Sequence, residues 1–161
     1  MNGWKVLIRA VAVSVLGASI GLASSAEHGQ SDANTRDAAL RARVNGLYRA
    51  WSARDWGKVF KYLPPDEQSC GRVQDIREEL GGESGQWPVS WKIEQVTVHS
   101  SASHRLLNVE CKGTSFKIDA VARVTISSVF EGPTGKRESH EHDDNAWLWV
   151  SGQWYWSPSE E

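Results

Sequence analysis

The sequence predicts an α+β fold, with about three N-terminal helices packed on one face of an antiparallel sheet of about five strands. Three observations carry this. Apolar residues recur at helical spacing as far as Leu80 and then switch to a period of two from Trp87 onward. Pro64-Pro65 and Gly81-Gly82 punctuate the first half as helix stops. The last two strands are joined by Ser151-Gly152 between alternating apolar runs, the pattern of a tight β-hairpin. Helices followed by strands, rather than alternating with them, put the helices together over one face of the sheet.

The elements follow in order. Residues 27–34 are polar and without period, which predicts a flexible mature N-terminus. Asn34 or Thr35 then caps a helix whose apolar stripe is Leu40, Val44, Leu47, Tyr48 and Trp51. Asp55 reads as the cap of a shorter helix carrying Trp56, Val59, Phe60 and Leu63, which Pro64-Pro65 stops. A third helix is expected over Ser69–Leu80, with Val73, Ile76 and Leu80 inward and Cys70 one turn before Val73. Strands are expected over Val89–His99, Arg105–Lys112, Phe116–Phe130, Arg137–Val150 and Gln153–Ser157, leaving 158–161 as a disordered tail. No internal repeat or linker divides residues 35–157, so they form one domain.

The chain opens with a lightly basic stretch, a 14-residue apolar run from Ala10 to Ala23, and Ser24-Ser25-Ala26. That is the layout of a secretory signal peptide, cleaved after Ala26 or, as second choice, after Ala23. The run is short of the roughly 20 residues that a spanning helix needs, so no stable membrane anchor is expected once residues 1–26 are removed. The mature product is therefore expected to be periplasmic or secreted. Cleavage takes away Lys5 and Arg9, leaving 16 basic against 20 acidic residues and a net charge of −4. An acidic product lacking clustered Lys and Arg is a poor match for phosphates, which excludes nucleic acid as a partner. Cys70 and Cys111, an even pair in an oxidising compartment, are expected to form a disulfide, with two buried free thiols as the alternative.

Leu47-Tyr48-Arg49-Ala50-Trp51-Ser52-Ala53-Arg54-Asp55 resembles the first-helix segment of the nuclear transport factor 2-like superfamily, an aromatic-bearing helix that ends in Asp before a short second helix. Val150-Ser151-Gly152-Gln153-Trp154-Tyr155-Trp156 is similar to that superfamily's closing hairpin. The resemblance spans about residues 35–157. It implies a cone-shaped fold in which a curved sheet wraps around the helices and encloses an internal pocket. The superfamily holds ketosteroid-isomerase-like and SnoaL-like enzymes together with exported binding domains, so the resemblance names no reaction.

Across the Ser151-Gly152 turn, Trp149 is expected to face Trp154 and Trp147 to face Trp156, which puts four indoles on one face of the hairpin. With Tyr48 and Trp51 from the first helix they are the candidate ligand pocket. Which face they occupy depends on the turn at Glu131–Lys136. If Glu131 faces Lys136, Trp147 opposes Ala120 and Trp149 opposes Ile118, and the indoles join Phe116, Ile118, Ala120, Ala122, Val124 and Ile126 on the helix-covered face. If Pro133-Thr134 forms a type I turn with Gly135 in a bulge, the register moves by one, Trp147 opposes Val121, Trp149 opposes Asp119, and the indoles turn outward.

In the first register Glu141, Asp143 and Asn145 continue the indole row. A carboxylate beside apolar rings has its pKa raised by desolvation, which makes Asp143 or Glu141 an acid–base candidate and Tyr48 a candidate donor. His140, His142 and Asp144 alternate along the same strand as a weak metal-ligand row that lacks the fourth ligand of a structural zinc site. In this register they lie on the outer face, with Asp144 opposite Arg123. No phosphate loop, Gly-x-Ser-x-Gly elbow or His-Glu-x-x-His helix occurs, and no cofactor is called for. The leading expectation is an exported, non-catalytic domain that binds a small apolar or aromatic ligand, or a partner protein, in an aromatic-lined pocket. The alternatives are a small isomerase, dehydratase or hydrolase using the carboxylates, and a Trp-rich outer surface for glycan binding or homodimerisation.

Overall fold

The computed structural model describes residues 23–81 and 85–158. Most of the leader read over residues 1–26, and the tail residues 159–161, lie outside them. The chain divides into two units, Met1–Ala33 and Asn34–Glu161, and the core and clefts described below belong to the second. Among the described residues no helix is long and apolar enough to cross a membrane.

The first helix, α1, runs Ala23–Ser52 and so begins before the expected cap at Asn34 or Thr35. It passes through residues 27–33, which contain neither proline nor a β-branched side chain to oppose a helix. Its apolar stripe is the expected one, with Leu40, Val44 and Leu47 fully buried and Tyr48 3% exposed. Asp55 caps α2 (Trp56–Phe60), accepting from the Lys58 backbone N–H at 3.1 Å. The helix ends at Phe60 with Lys61 as its C-cap, short of the expected stop at Pro64-Pro65, and Pro65 instead starts another, since proline fits the first helical position where no N–H is needed. This is α3 (Pro65–Cys70), and α4 follows at Val73–Gly81. The single helix expected over Ser69–Leu80 is thus broken. At the break Gly71 is extended and its N–H donates to the Glu67 carbonyl at 2.7 Å, while the Asp75 carboxylate accepts from the Arg72 N–H at 2.8 Å to open α4.

The sheet has the order β1-β2-β3-β4, every pair antiparallel, with β1 at Trp87–Val109, β2 at Thr114–Glu131, β3 at Arg137–Val150 and β4 at Gln153–Ser157. All five expected extended segments are present, but the first two run on as the single strand β1, whose pairing with β2 shifts between Ser100 and Arg105. The fold is α+β, as expected. A disulfide joins Cys70 at the end of α3 to Cys111 in a single 3-10 turn, Glu110–Lys112, between β1 and β2.

The closing hairpin pairs Trp147 with Trp156, Leu148 with Tyr155, Trp149 with Trp154 and Val150 with Gln153, as the turn residues predict. Ser151 and Gly152 both have positive φ, 51° and 84°, the conformation of a type I′ turn. The hairpin joining β2 to β3 departs from both expected registers. Next to the turn Glu131 pairs with Arg137, the Gly135 N–H donates to the Gly132 carbonyl at 2.9 Å, and Gly135 has φ 76°, so here the bulged type I turn is the one formed.

Farther along, Ser128 pairs with His140 but Ile126 pairs with Asp143, so Glu141 and His142 together oppose Ser127. This is a β-bulge on β3, with His142 at φ 60°. It restores the parity that the turn removes. Trp147 therefore faces Ala122 and Trp149 faces Ala120, on the helix-covered face but two residues away from the first expected register. A further shift at Asp119 pairs Ile118 with Val150 and moves Ile118 and Phe116 to the opposite face, where they pack with Leu148, Val150 and Tyr155.

The main core lies between the helices and the inner face. There Leu40, Val44, Leu47, Val59, Leu63 and Ile76 meet Ala120, Ala122, Val124, Ile126, Phe130, Trp147, Trp154 and Trp156. Alanines sit where the large rings cross the sheet, because rings and methyls interdigitate at close-packed density. A fully buried Leu, Val or Ile contributes about 1.5–3 kcal/mol through removal from water. The indoles add directional ties: Trp154 Nε1 donates to the Arg36 carbonyl at 3.0 Å and Trp91 Nε1 to Asn45 Oδ1 at 2.9 Å, both on α1. Arg43 completes the clamp, donating to the Trp154 and Lys61 carbonyls at 3.1 Å each.

Candidate functional site

Strand β4 covers only part of β3. Its last pair is Ser157 with Ala146, and the residues of β3 before Ala146 have no β4 partner. A cleft of about 540 Å³ opens at this step. One helical turn of α1 supplies Tyr48 and Trp51, β2 supplies Phe130 and Arg123, β4 supplies Trp156, and β3 supplies Asp143, Asp144 and Asn145. Tyr48 and Trp51 come from α1's inward stripe, and Asp143 and Asn145 from the inner row of β3 that the bulge sets.

Trp51 is the hub. Its ring lies 6.0 Å from Tyr48, 5.3 Å from Phe130 and 5.9 Å from Trp156, and its indole N–H donates to the Gln86 carbonyl at 3.1 Å. Tyr48 and Trp156 are almost covered whereas Trp51 is half-buried, so Trp51 offers the open ring surface. The polar wall faces it. Burial, then the Asp143 charge, holds the Tyr48 hydroxyl well above its ordinary range, with the Asn145 side chain acting in the opposite sense. Tyr48 is consequently a neutral donor at any physiological pH. Asp143 itself keeps 46% of its side chain in solvent, and its Oδ2 lies 3.2 Å from His140 Nδ1.

The six aromatic residues expected to line one pocket separate into two groups. Tyr48, Trp51 and Trp156 reach the cleft. Trp147 and Trp154 are fully buried and fill the core, and Trp149 is partly buried against Trp154 at 5.1 Å and beneath the Arg36 guanidinium at 5.4 Å. Asp143 and Asn145 stay on the indole row, but Glu141, expected beside them, is exposed in the bulge.

The row His140, His142 and Asp144 does not form. His140 is on the inner face opposite Ser128 and edge-on to Phe130 at 5.1 Å, and His142 occupies the left-handed position of the bulge. Asp144 pairs with Thr125 rather than with Arg123, accepting from its hydroxyl at 2.7 Å. Two residues in a bulge destroy the alternation on which the expected row depended, and among the described residues no group of three potential ligands gathers elsewhere.

Phe130 and Ser128 were not anticipated. Both continue the row Ala120, Ala122, Val124, Ile126 at a period of two, and that continuation was the available signal. Ser128 Oγ and His140 Nε2, from opposed positions, are both buried without a hydrogen-bond partner.

No protein-family profile matches the chain, and no curated protein sequence matches it. Among solved structures, it is similar to a SEC-C motif containing protein from Psychrobacter arcticus, at 16% identity and a TM-score of 0.47, over 74% of this chain and 59% of that one.

Proposed function

We propose that the mature chain is an exported, non-catalytic binding domain of nuclear transport factor 2-like type, which holds a small apolar or aromatic ligand in the cleft beside Trp51. The observation that carries this reading is the partly exposed Trp51 ring, backed by three further rings within 6.0 Å in a cleft whose polar lining is Arg123, Asp143, Asp144 and Asn145. Ligand sites combine apolar walls with a few placed polar groups, and about 540 Å³ falls in the range that small molecules occupy. The neutral Tyr48 hydroxyl and the Asp143 carboxylate suit a ligand with an aromatic body and a donor group. Export is supported by the leader pattern and by the Cys70–Cys111 disulfide, which oxidising compartments maintain.

Titrating the mature domain with 1-naphthol while following tryptophan emission tests the reading. Saturable quenching that Trp51→Ala abolishes is the expected result. An unresponsive protein, or a response that Trp51→Ala leaves intact, removes it.

A second reading, acid–base catalysis, is favoured by one observation: Asp143 and Tyr48 line the same cleft. Asp143 would take a proton and Tyr48 would donate to the developing oxyanion. Turnover of a ketone isomerisation substrate that Asp143→Asn reduces by 10²-fold or more, about the low end for a general base, would establish it. The reading of the tryptophans as an outer plate for glycans or a dimer finds no support in Trp147, Trp154 and Trp156, which are buried.

A further inference from the structure

Trp91, Ser128 and His140 cross the inner face from β1 to β3 as directly paired positions, so a small polar side chain stands between two rings. Ser128 is only 4% exposed and its hydroxyl has no hydrogen-bond partner. His140 Nε2, from the opposed position, is buried and unpartnered as well. The other ring nitrogen is engaged, with Nδ1 3.2 Å from Asp143 Oδ2, and the ring is seated edge-on against Phe130 at 5.1 Å. Asp143 and Phe130 both line the Trp51 cleft, so the imidazole touches two of its walls.

The proton order follows from these contacts. Nδ1–H donates to Asp143, which leaves Nε2 of a neutral ring as an acceptor, opposed to a serine hydroxyl able to donate or accept. Buried polar groups rarely stay unpaired, and these two oppose each other. The charged groups around the ring are soon named. Asp143 meets it from β3, where Glu138 and Glu141 are exposed and Glu138 accepts from Gln86 Nε2 at 3.2 Å. From β2 it is faced by Ser128 and Phe130, neither charged, and α1 brings the neutral Tyr48 hydroxyl toward Asp143. Lys92 of β1, which lines a shallow cleft with His140 and Glu141, is paired with Glu94 at 2.8 Å. Of the other charged lining of the Trp51 cleft, Arg123 and Asp144, the latter accepts from the Thr125 hydroxyl.

We propose that His140 is the positioning residue of the Trp51 cleft: it holds Asp143 toward the ligand and, by taking a second proton against Ser128, makes the hold on a hydrogen-bond donor depend on pH. The inference rests on the Trp51 cleft as a ligand site. With a neutral ring, the Asp143 charge is left for the ligand's donor. With a protonated ring, the imidazolium neutralises that charge and the donor gains less. The donor's contribution is therefore present at the alkaline end of the histidine range and lost as pH falls through it. Ser128 favours the protonated ring, because a charge-assisted hydrogen bond is stronger than a neutral one.

Tryptophan quenching by 1-naphthol and by 1-methoxynaphthalene, which lacks the donor, tests this at about pH 5 and about pH 8, the limits between which a histidine changes charge. 1-Naphthol should bind about tenfold more weakly at the acid end, and the methoxy compound equally at both. His140→Gln keeps a donor toward Asp143 but does not titrate, so 1-naphthol should bind it with one affinity throughout. His140→Ala has no donor and should bind 1-naphthol several-fold more weakly at the alkaline end than His140→Gln does. Ser128→Ala should move the midpoint of the step to lower pH. A step that survives His140→Gln, or one of equal size for the methoxy compound, overturns the proposal. Quenching that depends on Trp51 but not on pH overturns this inference alone, whereas a protein that neither compound quenches loses the ligand reading with it.

Discussion

Removing the Cys70–Cys111 crosslink should lower the stability of the domain by about 4 kcal/mol. The bond spans 41 residues of sequence, and in the chain-entropy treatment closing a loop of that length costs the unfolded chain about 13 cal/mol/K, or about 4 kcal/mol at room temperature. Unfolding entropies of about 2.1 cal/mol/K per residue give the unit Asn34–Glu161 roughly 0.27 kcal/mol/K, so the loss corresponds to a drop in Tm of about 15 °C. The loop holds α4 and the whole of β1. Thermal and urea unfolding of the protein with and without reductant, and of Cys70→Ala/Cys111→Ala, measure it. Urea gives the free energy and its m-value reports any change in the unfolded state. A drop below about 5 °C with an unchanged m-value would refute the entropic argument.

Three other outcomes follow from particular residues. Ser151→Asn should raise stability by up to about 1 kcal/mol, since position 151 is held at φ 51° and Asn tolerates the left-handed region better than Ser; a loss in urea unfolding would count against the type I′ turn. Trp147→Ala should cost about 3–5 kcal/mol, because a fully buried ring is removed from between α1 and the alanines of β2; a loss under 1 kcal/mol would mean that the core does not rest on it. Raised by burial and then by Asp66 and Glu79, Glu67 binds its proton more tightly folded than unfolded, so its ionisation subtracts stability as pH rises from the ordinary carboxylate range through its raised value. Glu67→Gln should therefore raise Tm at pH 7 and leave it unchanged at pH 3, and an equal gain at both would refute the assignment.

The parts of the fold that rest on local chemistry were legible. The stripe Leu40–Val44–Leu47, the Asp55 cap, the Ser151-Gly152 turn and the pairing of four indoles all depend on residues close in sequence. The break at Gly71 was hidden because Val73, Ile76 and Leu80 keep helical spacing across it, and the deciding interaction is a short side chain, Asp75, bonding the Arg72 N–H. Pro65 was legible as a stop but acts as a start. The candidate site was half legible. Tyr48, Trp51, Trp156 and Asp143 lie together, but Glu141, His142 and the metal row were placed by an alternation that holds only in a strand without insertions. The cleft lined by Phe60, Glu67, Cys70 and Glu79 was out of reach, since it assembles three helices and a disulfide whose mutual approach no periodicity encodes.

The bulge at Glu141–His142 means that the two ends of β3 are read in different frames. The turn at Pro133-Thr134 sets the phase of Arg137–His140, and the bulge resets it before Trp147 and Trp149. Deleting either bulge residue would leave every local propensity intact and yet turn two indoles toward water and Leu148 and Val150 toward the helices. The side on which the aromatic core lies therefore rests on a pair of exposed polar residues outside it.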